Sequence, residues 1–285
     1  MIYNKIVMFG FLLVAAATFF QEISSSIGKF EVQGRKESIY TMGFLNLAWG
    51  TLFFLCIAIF IRKEFLFASA SLPTFIARAI LEIIQAQMTM LAITKADRSA
   101  FGFIRIGTIP LLLIIDVALG YTIGLTQVFG ISLIVIALIF LLINHGIRKN
   151  GLVFVVFTTI NAAITLSLFK YNITNFNSVE AEQSIMMGIL LVYFFLMAFF
   201  IAKENPIQFF KKPIFFAQSF SEGVGSILMS FAYLFAPASI ITTVKRSSSI
   251  LWAMGSGKIY FHEKRLILKI IAFILIISGL ILLAI

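Results

Sequence analysis

The chain has 285 residues, 61% hydrophobic and 12% charged, with a mean hydropathy of +1.06. Soluble domains carry roughly 25% charged residues, so an ordinary soluble domain is excluded, and no stretch is polar enough to cover one. The formal net charge of +10 gathers on no extended basic face, which excludes a nucleic-acid-binding module. Loop cations that set topology and meet lipid headgroups account for it instead.

A membrane span needs about 20 apolar residues. The first such run, 6–28, follows Lys5 and opens IVMFGFLLVAAATFF, which has the look of a signal peptide. Its apolar pattern continues past Gln21 and Glu22 through ISSSIG, so a first transmembrane helix is the expectation. Further spans are expected at 39–61, 72–94, 99–118, 125–144, 152–170, 183–202, 213–235, 239–260 and 266–285. Backbone groups in lipid must be satisfied internally, which allows helices or a closed barrel. Runs this long and continuous are helical, because barrel strands alternate over about 10 residues. The predicted fold is therefore all-α and polytopic, an integral membrane protein with ten transmembrane helices.

An internal repeat runs through these elements. SLPTFIARAILEIIQAQ (71–87) aligns with KKPIFFAQSFSEGVGSI (211–227) at an offset of 140, matching Pro73 with Pro213, Phe75 with Phe215, Ala77 with Ala217 and Glu82 with Glu222. At nearly the same offset Arg105 falls on Lys245 or Arg246, and Lys29 falls beside Lys170. The chain divides into a first repeat, 1–146, and a second, 147–285, each with five spans. An odd number of spans inserts the second half upside down, an arrangement that recurs among transporters with a site at the repeat interface. Cations concentrate in the odd-numbered loops, which places those loops in the cytoplasm and both termini outside.

Charges inside spans are expensive in lipid and face the bundle interior or a wet cavity. They are Glu22 (span 1), Arg78 and Glu82 (span 3), Arg105 (span 4), Glu222 (span 8), and Lys245 with Arg246 (span 9). At the helical repeat Arg78, Glu82, Gln85 and Thr89 form one stripe, and the equivalent positions of span 8 are Gln218, Glu222 and Gly225. In span 9, Arg246, Thr242 and Ser249 share a face while Lys245 and Trp252 share its neighbour. Adjacent Lys245 and Arg246 cannot share a face, so one points to a cavity and the other to a neighbouring helix. Asp116 and Lys258 lie near span ends and are expected to snorkel. Two readings fit this set. Either the groups line a substrate cavity, or they are packing glue, with Arg78–Glu82 a pair within one helix and Ser247–Ser249 a surface for close helix approach.

Other motifs are bare. GSGK (255–258) lacks the spacing of a phosphate loop, and no metalloprotease or nucleophile-elbow pattern occurs. Asn172-Ile-Thr174 reads as a glycosylation sequon. Cys56 is alone, and His145 and His262 are far apart and read as interfacial, so neither a metal nor a cofactor is expected. Pro110 and Pro237 are expected to kink spans 4 and 9 or to mark an entrance.

Two features carry a resemblance. One is the five-plus-five repeat with Lys29 and Lys170 at the ends of spans 1 and 6; the other is ASIITTVKRSSSILWAMGSGKIYFHEK with its Glu263-Lys264 turn. On these the chain resembles the drug/metabolite transporter superfamily, in particular the ten-helix EamA-like branch. The first half has Pro110 but ends GYTIGLTQ, without the acidic turn. The resemblance implies export or exchange of small metabolites through a central cavity, driven by a gradient. The expected function is secondary transport of a small organic metabolite, amino-acid-like or anionic, by alternating access. The expected protein is not an enzyme, resides in the plasma membrane among lipids, binds a small-molecule substrate and forms a homodimer. Arg78, Glu82, Gln85, Arg105, Glu222, Lys245, Arg246, Ser249 and Trp252 are the candidates for binding or gating, and Glu22, Glu82 and Glu222 for coupling. Two alternatives are a flippase for a lipid-linked sugar or phospholipid headgroup, and an intramembrane lipid-modifying enzyme.

Overall fold

Residues 2–62, 65–95, 105–145, 152–261 and 266–284 are described in the computed structural model. They form ten α-helices with short 3-10 and π segments, and no strand occurs among the described residues. In chain order the helices are α1 (Ile2–Gln33), α2 (Ile39–Cys56), α3 (Leu72–Lys95), α4 (Thr108–Ala118) and α5 (Leu125–His145). There follow α6 (Leu152–Asn175), α7 (Val179–Met197), α8 (Pro213–Ala232), α9 (Ala238–Phe261) and α10 (Leu266–Ala284). Among the described residues four stretches are long and apolar enough to cross a membrane: Val7–Val32, Ile39–Ile61, Val153–Asn175 and Val179–Ala202.

Burial is inverted relative to a water-soluble protein. Phe60 and Ile61 are each 73% exposed and Leu125 79%, whereas Asp116, Asn172 and Glu182 are fully buried. Hydrocarbon is the solvent in which that pattern is stable, since apolar side chains gain nothing by leaving it and polar ones must be satisfied inside. The chain is a membrane protein.

Helix starts recur with the 140-residue offset. Ser38 caps α2 (φ −82°, ψ 162°) and accepts from the Thr41 amide; Ser178 caps α7 (φ −72°, ψ 152°) and accepts from the Ala181 amide. A serine oxygen there satisfies one of the amides that a helix start leaves without an intrahelical acceptor. Both helices then loosen into a π segment, Ile57–Arg62 after α2 and Ala198–Ala202 after α7. The expected span 7 began at 183; α7 instead starts at Val179, because Ser178 caps it there and takes Glu180 and Glu182 into the first turn. Pro110 lies in the first turn of α4 and Pro237 immediately before α9, so both prolines mark entrances.

The chain forms two compact units, each drawing on both sequence halves. One comprises 1–15, 87–167 and 235–285, the other 16–86 and 168–234. In the first unit α5 packs on α10 and α4 on α9. Gly130 and Gly279 permit the former: a Cβ on Gly130 would lie 2.8 Å from the Gly279 carbonyl oxygen. In the second unit α2 packs on both α7 and α8. There a Cβ on Gly223 would lie 2.9 Å from the Gly50 nitrogen. Small residues at such crossings let backbones meet where lipid supplies no hydrophobic drive for association.

Candidate functional site

A buried polar assembly lies in the second unit, where α3, the end of α6 and the start of α7 meet. Arg78 on α3 is 3% exposed. Its Nη1 donates to Glu182 Oε1 at 2.8 Å and its Nη2 to Gln183 Oε1 at 3.4 Å. The guanidinium also lies over the Phe169 ring, 4.6 Å from its centroid. Glu182 has no exposed side-chain surface and is held by two more donors, Asn172 Nδ2 at 2.9 Å and Asn177 Nδ2 at 2.5 Å.

The amides are fixed in turn. Thr74 Oγ1 donates to Asn172 Oδ1 at 2.6 Å, and the Ala68 amide donates to Asn177 Oδ1 at 3.0 Å. Asn177 Nδ2 also reaches Ser71 Oγ at 3.0 Å, and Gln183 Nε2 donates to Ser230 Oγ on α8 at 3.0 Å. Glu182 sits in the first turn of α7, where the positive end of the helix dipole favours a carboxylate. A buried charge survives when it is both paired and hydrogen-bonded, and Glu182 meets both conditions.

The ion-pair partner expected for Arg78 was Glu82. Glu82 is the more distant acid, at 3.8 Å from Nε with 22% of its side chain exposed, and Glu182 is the close one. Gln85, further along the same stripe, is buried. Glu22 and Glu222 are half-buried in this unit, and Glu22 accepts from Ser26 Oγ at 3.5 Å. Lys170, at the end of α6, is buried and donates to the Tyr233 carbonyl at 2.5 Å. The side chain of Lys29 lies outside the described residues.

The other predicted residues belong to the first unit. Arg105, in a 3-10 turn ahead of α4, is half-buried, as are Lys245, Arg246 and Ser249 on α9. Trp252 is 39% exposed and donates its indole N–H to the Ala15 carbonyl at 3.1 Å. Two hydroxyls on the buried face of α9 bond back to their own helix: Thr243 donates to the Ser239 carbonyl at 2.7 Å and Ser247 to the Thr243 carbonyl at 2.9 Å. Asp116 does not snorkel. It is fully buried, and its Oδ2 accepts from the Ser239 amide at 2.7 Å, a carboxylate placed on the first turn of α9. His262, Glu263 and Lys264 lie outside the described residues, as do the side chains of His145 and Lys258.

Sequence reasoning passed over Glu182, Gln183, Asn172 and Asn177. Glu182 stood in a presumed loop with Gln183 at the first position of the expected span, and Asn172 was read as a sequon; its side chain is fully buried on Glu182, so the folded chain offers no acceptor there. The signal available was Arg78 itself, which needs a close acid, together with a serine cap at 178 that would have drawn the acids into α7. Among the described residues no group of His, Cys, Asp and Glu is placed to hold a metal ion.

No protein-family model matches the chain, and no curated protein matches it. Among solved structures, 24 chains match. One of them, a crystal structure of a protein, aligns over 98% of this chain and 97% of its own with a TM-score of 0.72 and 12% sequence identity. A likeness at that identity carries the fold and nothing about function. The chain therefore shares a fold already seen in a crystal, and its function rests on its own residues.

Proposed function

We propose that the chain is a secondary transporter of a small organic metabolite, working by alternating access between two inverted five-helix repeats. The observation that carries this reading is the recurrence of capped helix starts at Ser38 and Ser178, each helix ending in a π segment, in a chain that buries ionised groups and exposes apolar ones. Duplicated halves with intramembrane charges are a recurring way to build a transport site. The resemblance to the drug/metabolite transporters points the same way. Arg78, whose two terminal nitrogens are held by Glu182 and Gln183, is assigned a positioning role. Arg105, Lys245 and Arg246 are the candidates for an anionic group of the substrate, and Glu22, Glu82 and Glu222 for coupling.

The test has two stages. A thermal-shift screen of the purified chain against a metabolite library identifies the ligand class, since a ligand present at about 100 times its Kd stabilises the folded state by about 2.7 kcal/mol. Uptake of the hit is then measured in proteoliposomes. Glu82→Gln and Glu222→Gln are expected to lower gradient-driven uptake at least tenfold while the protein remains folded. Normal uptake in both variants removes their coupling role. Movement of a lipid headgroup in place of a soluble metabolite replaces the transporter reading with the flippase one.

A further inference from the structure

The 140-residue offset places a second polar arm in the second unit, built from Glu37 and Gln218. Glu37 immediately precedes the Ser38 cap of α2, as Asn177 immediately precedes the Ser178 cap of α7. Gln218 stands on α8 where Arg78 stands on α3. The chemistry is exchanged between the arms. Around Arg78 the cap-preceding residue is a neutral amide and the helix supplies a cation. Around Glu37 the cap-preceding residue is the acid and the helix supplies a neutral amide.

Glu37 is 3% exposed, and neither carboxylate oxygen has a hydrogen-bond partner. Its acidic neighbours are already engaged. Glu31, at the end of α1, pairs with Lys36 at 3.3 Å. Glu204, in the loop after α7, accepts from the Ser38 amide at 3.1 Å and from Thr41 Oγ1 at 2.5 Å, and so serves the start of α2. From α8 comes only Gln218, fully buried, whose Oε1 is an acceptor with no donor and whose Nε2 reaches Asn46 Oδ1 at 3.5 Å. The loop cations Arg35, Lys203, Lys211 and Lys212 are exposed.

A buried carboxylate with no donor and a buried amide oxygen with no donor are each costly. One proton removes both defects, because a carboxylic acid supplies the O–H that Gln218 Oε1 lacks. Burial, the chief cause, together with the charges of Glu31 and Glu204 pushes the Glu37 carboxyl up to about 8, with the Gln218 amide offsetting part of the rise.

We propose that Glu37 is a reversible proton-binding site, closed onto Gln218 when protonated. Losing the proton leaves three carboxylates grouped at the α1–α2 turn and drives that turn away from α8. The site stands whether or not the chain transports a metabolite.

The sign follows from proton linkage. Folded Glu37 holds a proton that the unfolded chain gives up above the ordinary carboxylate value of 4.5, so stability is greatest below 4.5 and falls as pH rises towards about 8. The full-length chain in detergent is expected to show an unfolding constant rising about tenfold per pH unit across that window. Glu37→Gln, which donates to Gln218 permanently, is expected to abolish this slope, while Glu204→Gln keeps it. Equal slopes in the wild type and Glu37→Gln overturn the proposal. Infrared difference spectra of the wild type give a second reading that needs no variant. A carbonyl band of a protonated carboxylic acid, present at about pH 6 and lost at about pH 9, is expected; the absence of such a band refutes the site.

Discussion

Replacing Arg78 by methionine removes the one cation paired with Glu182 among the described residues while keeping an unbranched side chain of similar reach. Glu182 stays fully buried, and stripping one partner from a buried pair costs about 3–5 kcal/mol. Two terms adjust that figure. Asn172 and Asn177 still donate to the carboxylate at 2.9 Å and 2.5 Å, which holds the loss towards the lower end. The contact with the Phe169 ring, 4.6 Å away, is also lost, adding about 1 kcal/mol. The expectation is therefore about 3–4 kcal/mol, a roughly hundred- to thousandfold rise in the unfolding constant.

Equilibrium unfolding in mixed micelles, followed through Trp49 and Trp252, measures it. Glu182→Gln alone strands the buried guanidinium beside a neutral amide and destabilises by a comparable amount. The double variant loses less than the sum, with a coupling of about 2 kcal/mol. Strict additivity, or a cost under about 1 kcal/mol for Arg78→Met, refutes the reading of Arg78 and Glu182 as a coupled buried ion pair.

The capping serines give a paired test of the repeat. Ser38→Ala and Ser178→Ala are each expected to lower stability by about 1 kcal/mol in the same unfolding assay. Gly223→Val drives side-chain atoms into the Gly50 backbone, where a Cβ alone would lie at 2.9 Å; it is expected to cost about 1–3 kcal/mol, read as a lowered Tm.

Helix positions were legible in the sequence because hydrocarbon imposes length and continuity on each span. The starts of α2, α3, α5, α6, α8 and α10 fall on the expected residues. The start of α7 was displaced, since two glutamates ordinarily end an apolar run and here are absorbed by a cap and an ion pair. Arg78 was legible as an interior charge. Its partner was not, because helical periodicity pairs residues three and four apart, whereas Arg78 and Glu182 are brought together only by the packing of α3 against α7. Glu37 was invisible for another reason: it lies in a turn, where an acid is ordinarily solvated, and only the fold removes its water.

The two arms of the second unit, 140 residues apart in sequence, differ in what recurs and what does not. Helix starts must present capped amides wherever they end a span, so the serines recur at 38 and 178 with the same geometry. Charge is subject to a different condition, neutrality of each buried cluster, and that can be met in more than one way. Around Arg78 it is met by an acid on a neighbouring helix. Around Gln218 no cation pairs with Glu37 among the described residues, and the proposed proton on Glu37 supplies neutrality there. Gln218→Arg is thus the substitution that makes the arms alike, and it exchanges a proton for a fixed charge: a variant that folds is expected to keep Glu37 ionised and to lose the fall in stability towards pH 8.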